Sequence, residues 1–167
     1  MANDRNDQLT NLREMIRHAF PAVPYDGRIT EYDDQLDDPS LDDEKALYQF
    51  LKGKQWTSIS PDFVHTQPDG YVLLSDGAFG PFLAAWLMES LENPKSNMVS
   101  EFLVYSFSPK TDMAPDTTGY ILGKVQTLTS EQRRVLRAVL AELADRDLSE
   151  FQRKLALEAI ALLEGVL

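Results

Sequence analysis

The residues best placed to do chemistry in this chain are carboxylates. Between Glu31 and Glu44 the sequence has eight acidic side chains and no lysine or arginine. A segment so dense in one sign of charge must stay solvated, coordinate a cation or meet a basic partner. The eight residues are Glu31, Asp33, Asp34, Asp37, Asp38, Asp42, Asp43 and Glu44.

Carboxylate oxygens are the ligands that Ca²⁺ and Mg²⁺ prefer. The acidic residues before Pro39 come as adjacent pairs, Asp33–Asp34 and Asp37–Asp38, and lack the alternating spacing and following glycine of an EF-hand loop. We therefore predict no metal site and no cofactor. A metal-assisted hydrolase using these carboxylates stays an alternative interpretation.

Other catalytic patterns are missing from the sequence. The chain has no cysteine, which excludes disulfides, thiolate nucleophiles and cysteine-ligated metals. His18 and His65 are far apart in the chain, and nothing in the sequence pairs them with a nucleophile. A P-loop, a dinucleotide fingerprint, a His-Glu-x-x-His motif and a Gly-x-Ser-x-Gly elbow are all absent. We predict no catalytic residue and favour a non-catalytic function.

The charge of the chain indicates what kind of partner it could have. Its net charge of −11 argues against binding to nucleic acid, which needs lysine and arginine to displace counterions, and against an anionic membrane surface. A basic protein is the ligand that such a charge attracts, as in an inhibitor or immunity protein that covers a basic nuclease. Tyrosines border the acidic run, and the predicted partner-binding residues are Glu31, Tyr32, Asp33, Asp34, Asp37, Asp38 and Tyr48.

The elements that must position these residues are helices. Apolar residues at helical spacing predict a mainly α protein, one single-domain bundle (1–167) of about six helices with at most a minor β element. The acidic loop, 26–39, connects the first two helices, and Ser40 is predicted to open the second. Short extended segments are predicted at 71–74 and 120–122. The predicted helices lie at about 7–20, 40–52, 76–92, 99–108, 129–144 and 149–166.

Two of these helices carry further expectations. The helix from Asp76 to Glu92 is apolar nearly all round, so we expect it at the centre of the bundle. The last helix is rich in leucine from Leu155 to Leu167, and a structural homo-oligomeric subunit is a further alternative function. Because the N-terminus is polar and no long apolar run is present, we expect a cytoplasmic protein without a membrane span.

Parts of the chain resemble a bacterial family of small proteins of unknown function. The similar segments are Ile16–Phe20, Phe50–Trp56, Leu73–Leu87 and Leu128–Arg133, and the resemblance spans about 10–145. The family pattern has a proline where this chain has Ala84 or Ala85. Since the matching residues are mostly apolar or capping residues, the resemblance implies an α-helical domain and no particular activity.

Overall fold

The computed structural model describes residues 2–92, 97–108, 117–146 and 149–165. The prediction of a mainly α fold is confirmed, and no β-sheet is present in this part of the chain. None of the described helices combines the length and apolar composition of a membrane span. The α-helices are α1 Ala2–Ala19, α2 Asp42–Leu51, α3 Pro61–Thr66, α4 Asp76–Ser90, α5 Met98–Phe107, α6 Thr117–Gln126, α7 Ser130–Ala144 and α8 Glu150–Glu164.

Helix α4 is central, as its composition predicts. Phe79 and Phe82 near its start and Trp86 and Leu87 near its end are all fully buried. Because apolar side chains leave the helix in every direction, it must be surrounded, and it packs against α1, α3, α5, α6 and α7. The indole Nε1 of Trp86 donates to the Gln67 carbonyl at 2.8 Å. This buried donor therefore has a hydrogen-bond partner inside the protein.

The described residues form eight α-helices where about six were predicted, and both segments predicted to be extended are helical over most of their length. Residues 71–74 lie largely in a 3₁₀ turn, Gly70–Leu73, and Tyr120–Leu122 belong to α6. In α6, Ile121 and Val125 are four residues apart and both buried, so packing on the core overrides the poor helix propensity of Gly119 and Gly123. The other addition, α3, is a short helix that begins where Ser60 and Pro61 predict a cap.

The starts of α4, α5, α7 and α8 lie within one residue of the predicted ones, because capping chemistry is local in sequence, whereas α1 begins at Ala2, five residues before its predicted start. The Ser75 hydroxyl accepts from the Ala78 N–H at the start of α4. Thr129 and Gln132 form a capping box at the start of α7, and Ser149 and Gln152 form a second one at the start of α8. The Gly53 backbone, with a φ of 73°, ends α2 in the left-handed region that favours glycine.

A buried arginine joins the end of α7 to the end of α4. The Arg146 guanidinium donates to the carbonyls of Ser90 and Leu91 at 3.2 and 3.0 Å, and to the Glu142 carboxylate at 3.3 Å. Arg146 is 3% exposed and Glu142 4%. Burial lowers the pKa of Arg146, while the hydrogen bond and charge of Glu142 oppose that shift. The arginine therefore supplies donors to carbonyls at the end of α4 that have no partner in their own helix.

We expect Arg146→Ala to lower the free energy of unfolding by about 3–5 kcal/mol. The carbonyls of Ser90 and Leu91 lose their donor, and the buried Glu142 carboxylate loses its nearest basic partner and keeps only Gln8 at 3.3 Å and Arg5 at 3.9 Å. Urea unfolding followed by circular dichroism measures this. Arg134→Ala is the matched control, since Arg134 is largely exposed and pairs with Glu131 at the surface at 3.6 Å. The control should cost less than about 0.5 kcal/mol. Equal losses in the two variants would contradict a structural role for Arg146.

Candidate functional site: an acidic surface

The acidic loop starts from a backbone that is fixed to the core. The Ile29 carbonyl accepts from the Ser75 N–H at 2.7 Å, and the Ser75 hydroxyl donates to the Arg28 carbonyl at 2.5 Å. Isolated β-bridges join Thr30 to Leu74 and Tyr25 to Lys54. Since Ile29 and Thr30 are fully buried, the chain enters the acidic loop from a firmly held position.

Asp33 closes the first turn of the loop on itself. Its carboxylate accepts from the backbone N–H groups of Ile29 and Thr30, both at 2.8 Å, and from the Thr30 hydroxyl at 3.0 Å. The side chain is half-buried. Asp33 thus satisfies two backbone donors at the edge of the core, and both of its oxygens are already engaged.

Asp38 organises the approach to α2. It accepts from the Ser40 N–H and hydroxyl at 2.9 and 2.8 Å and caps a 3₁₀ turn, Pro39–Leu41. Helix α2 begins two residues later than predicted, at Asp42, because residues 39–41 form the 3₁₀ turn; Leu41 is the N-cap residue of α2 and makes no side-chain capping bond. The two hydrogen bonds lower the Asp38 pKa. Its stabilising effect is therefore present at neutral pH and lost as the pH falls through the folded-state pKa.

Most of the carboxylates point outward. Asp33 and Glu44 are partly buried, and the other six are exposed. The Arg28 guanidinium pairs with Asp34, and the Gln67 side-chain amide donates to Asp43 at 3.3 Å. No other ion pair of these carboxylates occurs among the described residues. We call the six exposed residues the acidic surface: Glu31, Asp34, Asp37, Asp38, Asp42 and Asp43.

The tyrosines predicted to take part in binding differ in exposure. Tyr32 lies inside the acidic run and is 45% exposed. Tyr48 is half-buried, and its ring faces the Lys52 ammonium at 5.8 Å. Tyr25 packs edge-on against Phe82 in the core. Of the three tyrosines, Tyr32 therefore has the geometry of a surface aromatic that a partner could contact.

An apolar cleft beside the acidic surface was missed in the sequence. The helical spacing of Leu47, Phe50 and Leu51 suggests that all three are buried, but Phe50 is 46% exposed and stacks on Phe63 with ring centroids 4.3 Å apart. The cleft between α2 and α3 has a volume of about 260 Å³. Gln67, which hydrogen bonds Asp43, belongs to its wall. Phe50 lies at the edge of the apolar stripe of α2. Its position in the sequence alone does not indicate whether its side chain is buried or exposed.

The remaining titratable residues do not converge on a catalytic or metal-binding arrangement in the part of the chain that the structure describes. His65 Nε2 lies 2.6 Å from a Glu89 carboxylate oxygen, and His18 Nε2 lies 3.8 Å from Glu131. Each histidine therefore lies beside a different glutamate, and the two pairs are separate. Over the described ranges, no three His, Asp or Glu side chains are grouped so that they could share a metal ion.

Comparison with family models, with curated proteins and with solved structures found no match for this chain. The resemblance to the bacterial family of small helical proteins therefore stays a prediction.

We expect Asp33→Ala to lower the free energy of unfolding by about 1–3 kcal/mol, because two buried backbone N–H groups and the Thr30 hydroxyl lose their acceptor. Urea unfolding at neutral pH measures the loss. Asp37→Ala is the control in the same loop: Asp37 is exposed and has no hydrogen bond or ion pair with the described residues. It should change stability by less than about 0.5 kcal/mol. If the two variants are equally stable, the account of Asp33 is wrong.

Proposed function

We propose that this chain is a non-catalytic, cytoplasmic binding protein that engages a basic protein partner through its acidic surface, in the manner of an inhibitor or immunity protein. The observation that carries the proposal is the outward direction of Glu31, Asp34, Asp37, Asp38, Asp42 and Asp43, of which Asp34 alone has a basic partner among the described residues. Charges left unpaired at a surface attract a complementary surface and accelerate the encounter with it.

The fixed backbone below the acidic surface also supports binding. Ile29 and Thr30 are held by Ser75, Leu74 and Asp33, and Asp38 holds the turn that leads into α2. A loop that is already ordered loses little conformational freedom when a partner docks. The hydrogen bonds of Asp33 and Asp38 therefore hold the backbone of the loop in place, and the neighbouring carboxylates stay exposed to a partner.

The apolar cleft adds a second kind of contact to the acidic surface. Phe50 and Phe63 offer stacked aromatic rings, and the Lys54 ammonium lies 5.4 Å from the centre of the Phe50 ring. Interfaces commonly combine a buried aromatic centre with a charged margin. A partner segment with both basic and apolar side chains, such as a basic amphipathic helix, matches this combination.

A variant with Glu31→Gln, Asp37→Asn and Asp42→Asn should bind a basic amphipathic peptide more weakly by about tenfold, since three local attractions are removed. The probe is a synthetic helical peptide with lysine on one face and leucine on the other. Isothermal titration calorimetry at physiological ionic strength gives both affinities. The variant leaves Asp33 and Asp38 in place, so its melting temperature should match that of the unmodified protein.

The matched control removes three carboxylates elsewhere, with Asp7→Asn, Glu14→Gln and Glu101→Gln on α1 and α5. Their side chains are exposed and make no hydrogen bond or ion pair with the described part of the chain. The control has the same net charge as the loop variant, and we expect its affinity to fall less than about twofold, because salt screens distant charges. Equal weakening of both variants would show that only net charge matters and would overturn a localised acidic site.

Divalent cations separate this proposal from a metal-assisted hydrolase. A metal that binds only the folded state raises the melting temperature. Because the carboxylates of Asp33 and Asp38 are already engaged in hydrogen bonds, we expect no rise in melting temperature with millimolar Ca²⁺, Mg²⁺ or Mn²⁺. Differential scanning fluorimetry measures it. A rise that the Glu31, Asp37 and Asp42 variant abolishes would favour the hydrolase instead.

A further inference from the structure

Helix α8 has two different faces. The buried face carries Leu155, Ala156, Ala159 and Leu163 and packs on α7 and α5. On the opposite face, Phe151 and Leu157 are each 56% exposed, and the Phe151 ring lies 6.5 Å from that of Tyr105, which is also exposed. The α8 outer face, as we use the term, consists of Phe151, Lys154, Leu157, Glu158 and Ala161.

This face is a continuous stripe along one helix that is open to solvent. Phe151, Lys154, Glu158 and Ala161 follow one another at steps of three and four residues, so they line one side of the helix over about 15 Å. Two large apolar side chains of the stripe, Phe151 and Leu157, stay more than half exposed, although Phe151 lies beside Tyr105. Such faces are typical of helix–helix contacts.

The order of residues along the α8 outer face makes it complementary to itself. If a second α8 packs antiparallel on the outer face, with the two-fold axis at the height of position 156 along the helix, Lys154 of each helix faces Glu158 of the other. The same register places the large Phe151 ring against the small Ala161 of the other helix, while the two Leu157 side chains flank the axis. Isologous contacts require this property, since every residue pair across the axis must occur twice.

Within one helix Lys154 Nζ already lies 3.8 Å from Glu158, and both side chains stay partly exposed, at 73% and 39%. An exposed pair of this kind adds only a few tenths of a kcal/mol to the helix. Both charges are therefore available to form the same pair with a second copy at little cost to the fold.

From this geometry we infer that the chain forms a symmetric homodimer in which two α8 helices pack antiparallel through Phe151, Lys154, Leu157, Glu158 and Ala161. One helix from each copy gives a small interface, of the size that is typical of weak and transient association. The acidic surface lies on α2 and the loop before it, outside this contact. The dimer would present two acidic surfaces at once, but its formation does not depend on the proposed function.

The test is a charge exchange followed by sedimentation velocity on the full chain, from low micromolar to submillimolar concentration. The unmodified protein should sediment as a dimer at high concentration. Lys154→Glu places Glu158 of each copy against a second carboxylate, and Glu158→Lys places two lysines together. Each variant alone should dimerise more weakly by about tenfold or more, because like charges then meet twice across the axis.

Mixing the two variants supplies the decisive measurement. One copy then carries two carboxylates and the other two lysines at these positions, so a mixed dimer has both attractive pairs, and the dimer should return. No effect within a single helix explains recovery on mixing. Lys45→Glu, at an exposed lysine on α2, is the control with the same change of charge and should dimerise normally. Circular dichroism checks that each variant is folded.

Three results would overturn the inference. They are a monomeric unmodified protein at the highest concentration, a dimer that both single variants leave unchanged, and a mixture that stays monomeric although each variant is folded. The first would mean that something else, or nothing, covers the α8 outer face, and the second would place the dimer contact elsewhere. None of these results bears on the affinity of the acidic surface for a basic peptide, so the two proposals fail independently.

Discussion

The burial of α4 is the constraint on which the rest of the structure depends. A helix with apolar side chains on every side cannot leave any face in water, so five other helices pack around it. Its polar requirements are then met by its surroundings. Ser75 caps its first turn, Trp86 donates to the Gln67 carbonyl, and Arg146 reaches the carbonyls at its end. The bonds of Trp86 and Arg146 also tie other parts of the chain to the central helix.

The acidic surface depends indirectly on the packing around α4. Ser75 caps α4 and also donates twice to the backbone at Arg28 and Ile29, just before the acidic loop. Asp33 then fastens the first turn of the loop to the same backbone. The order imposed by the core therefore extends to the point where the exposed carboxylates begin. Repulsion among those carboxylates acts on a backbone that is already held, and this favours a defined surface over a collapsed or extended loop.

Carboxylates that look alike in sequence have different physical roles here. Asp33 and Asp34 are adjacent, yet one satisfies buried backbone donors and the other meets Arg28 in solvent. Asp37 and Asp38 differ in the same way, because Asp38 caps a turn and Asp37 has no contact of this kind among the described residues. The density of negative charge therefore overstates the number of side chains free to meet a partner. It does indicate where on the chain such a surface lies.

The sequence by itself determined the helical class, the central place of α4 and most helix starts. These follow from apolar spacing and from caps such as Ser75 and Thr129, and both are local properties. Tertiary structure alone decided that α6 is helical, that Phe50 faces a cleft, and that Arg146 is buried against the end of α4. In each case the outcome rests on contacts with residues distant in the chain: Lys124 in α6 donates to the Leu74 carbonyl, Phe50 stacks on Phe63, and Arg146 bonds Ser90. Such contacts leave no mark in the local spacing of residues, which is why pattern alone could not supply them.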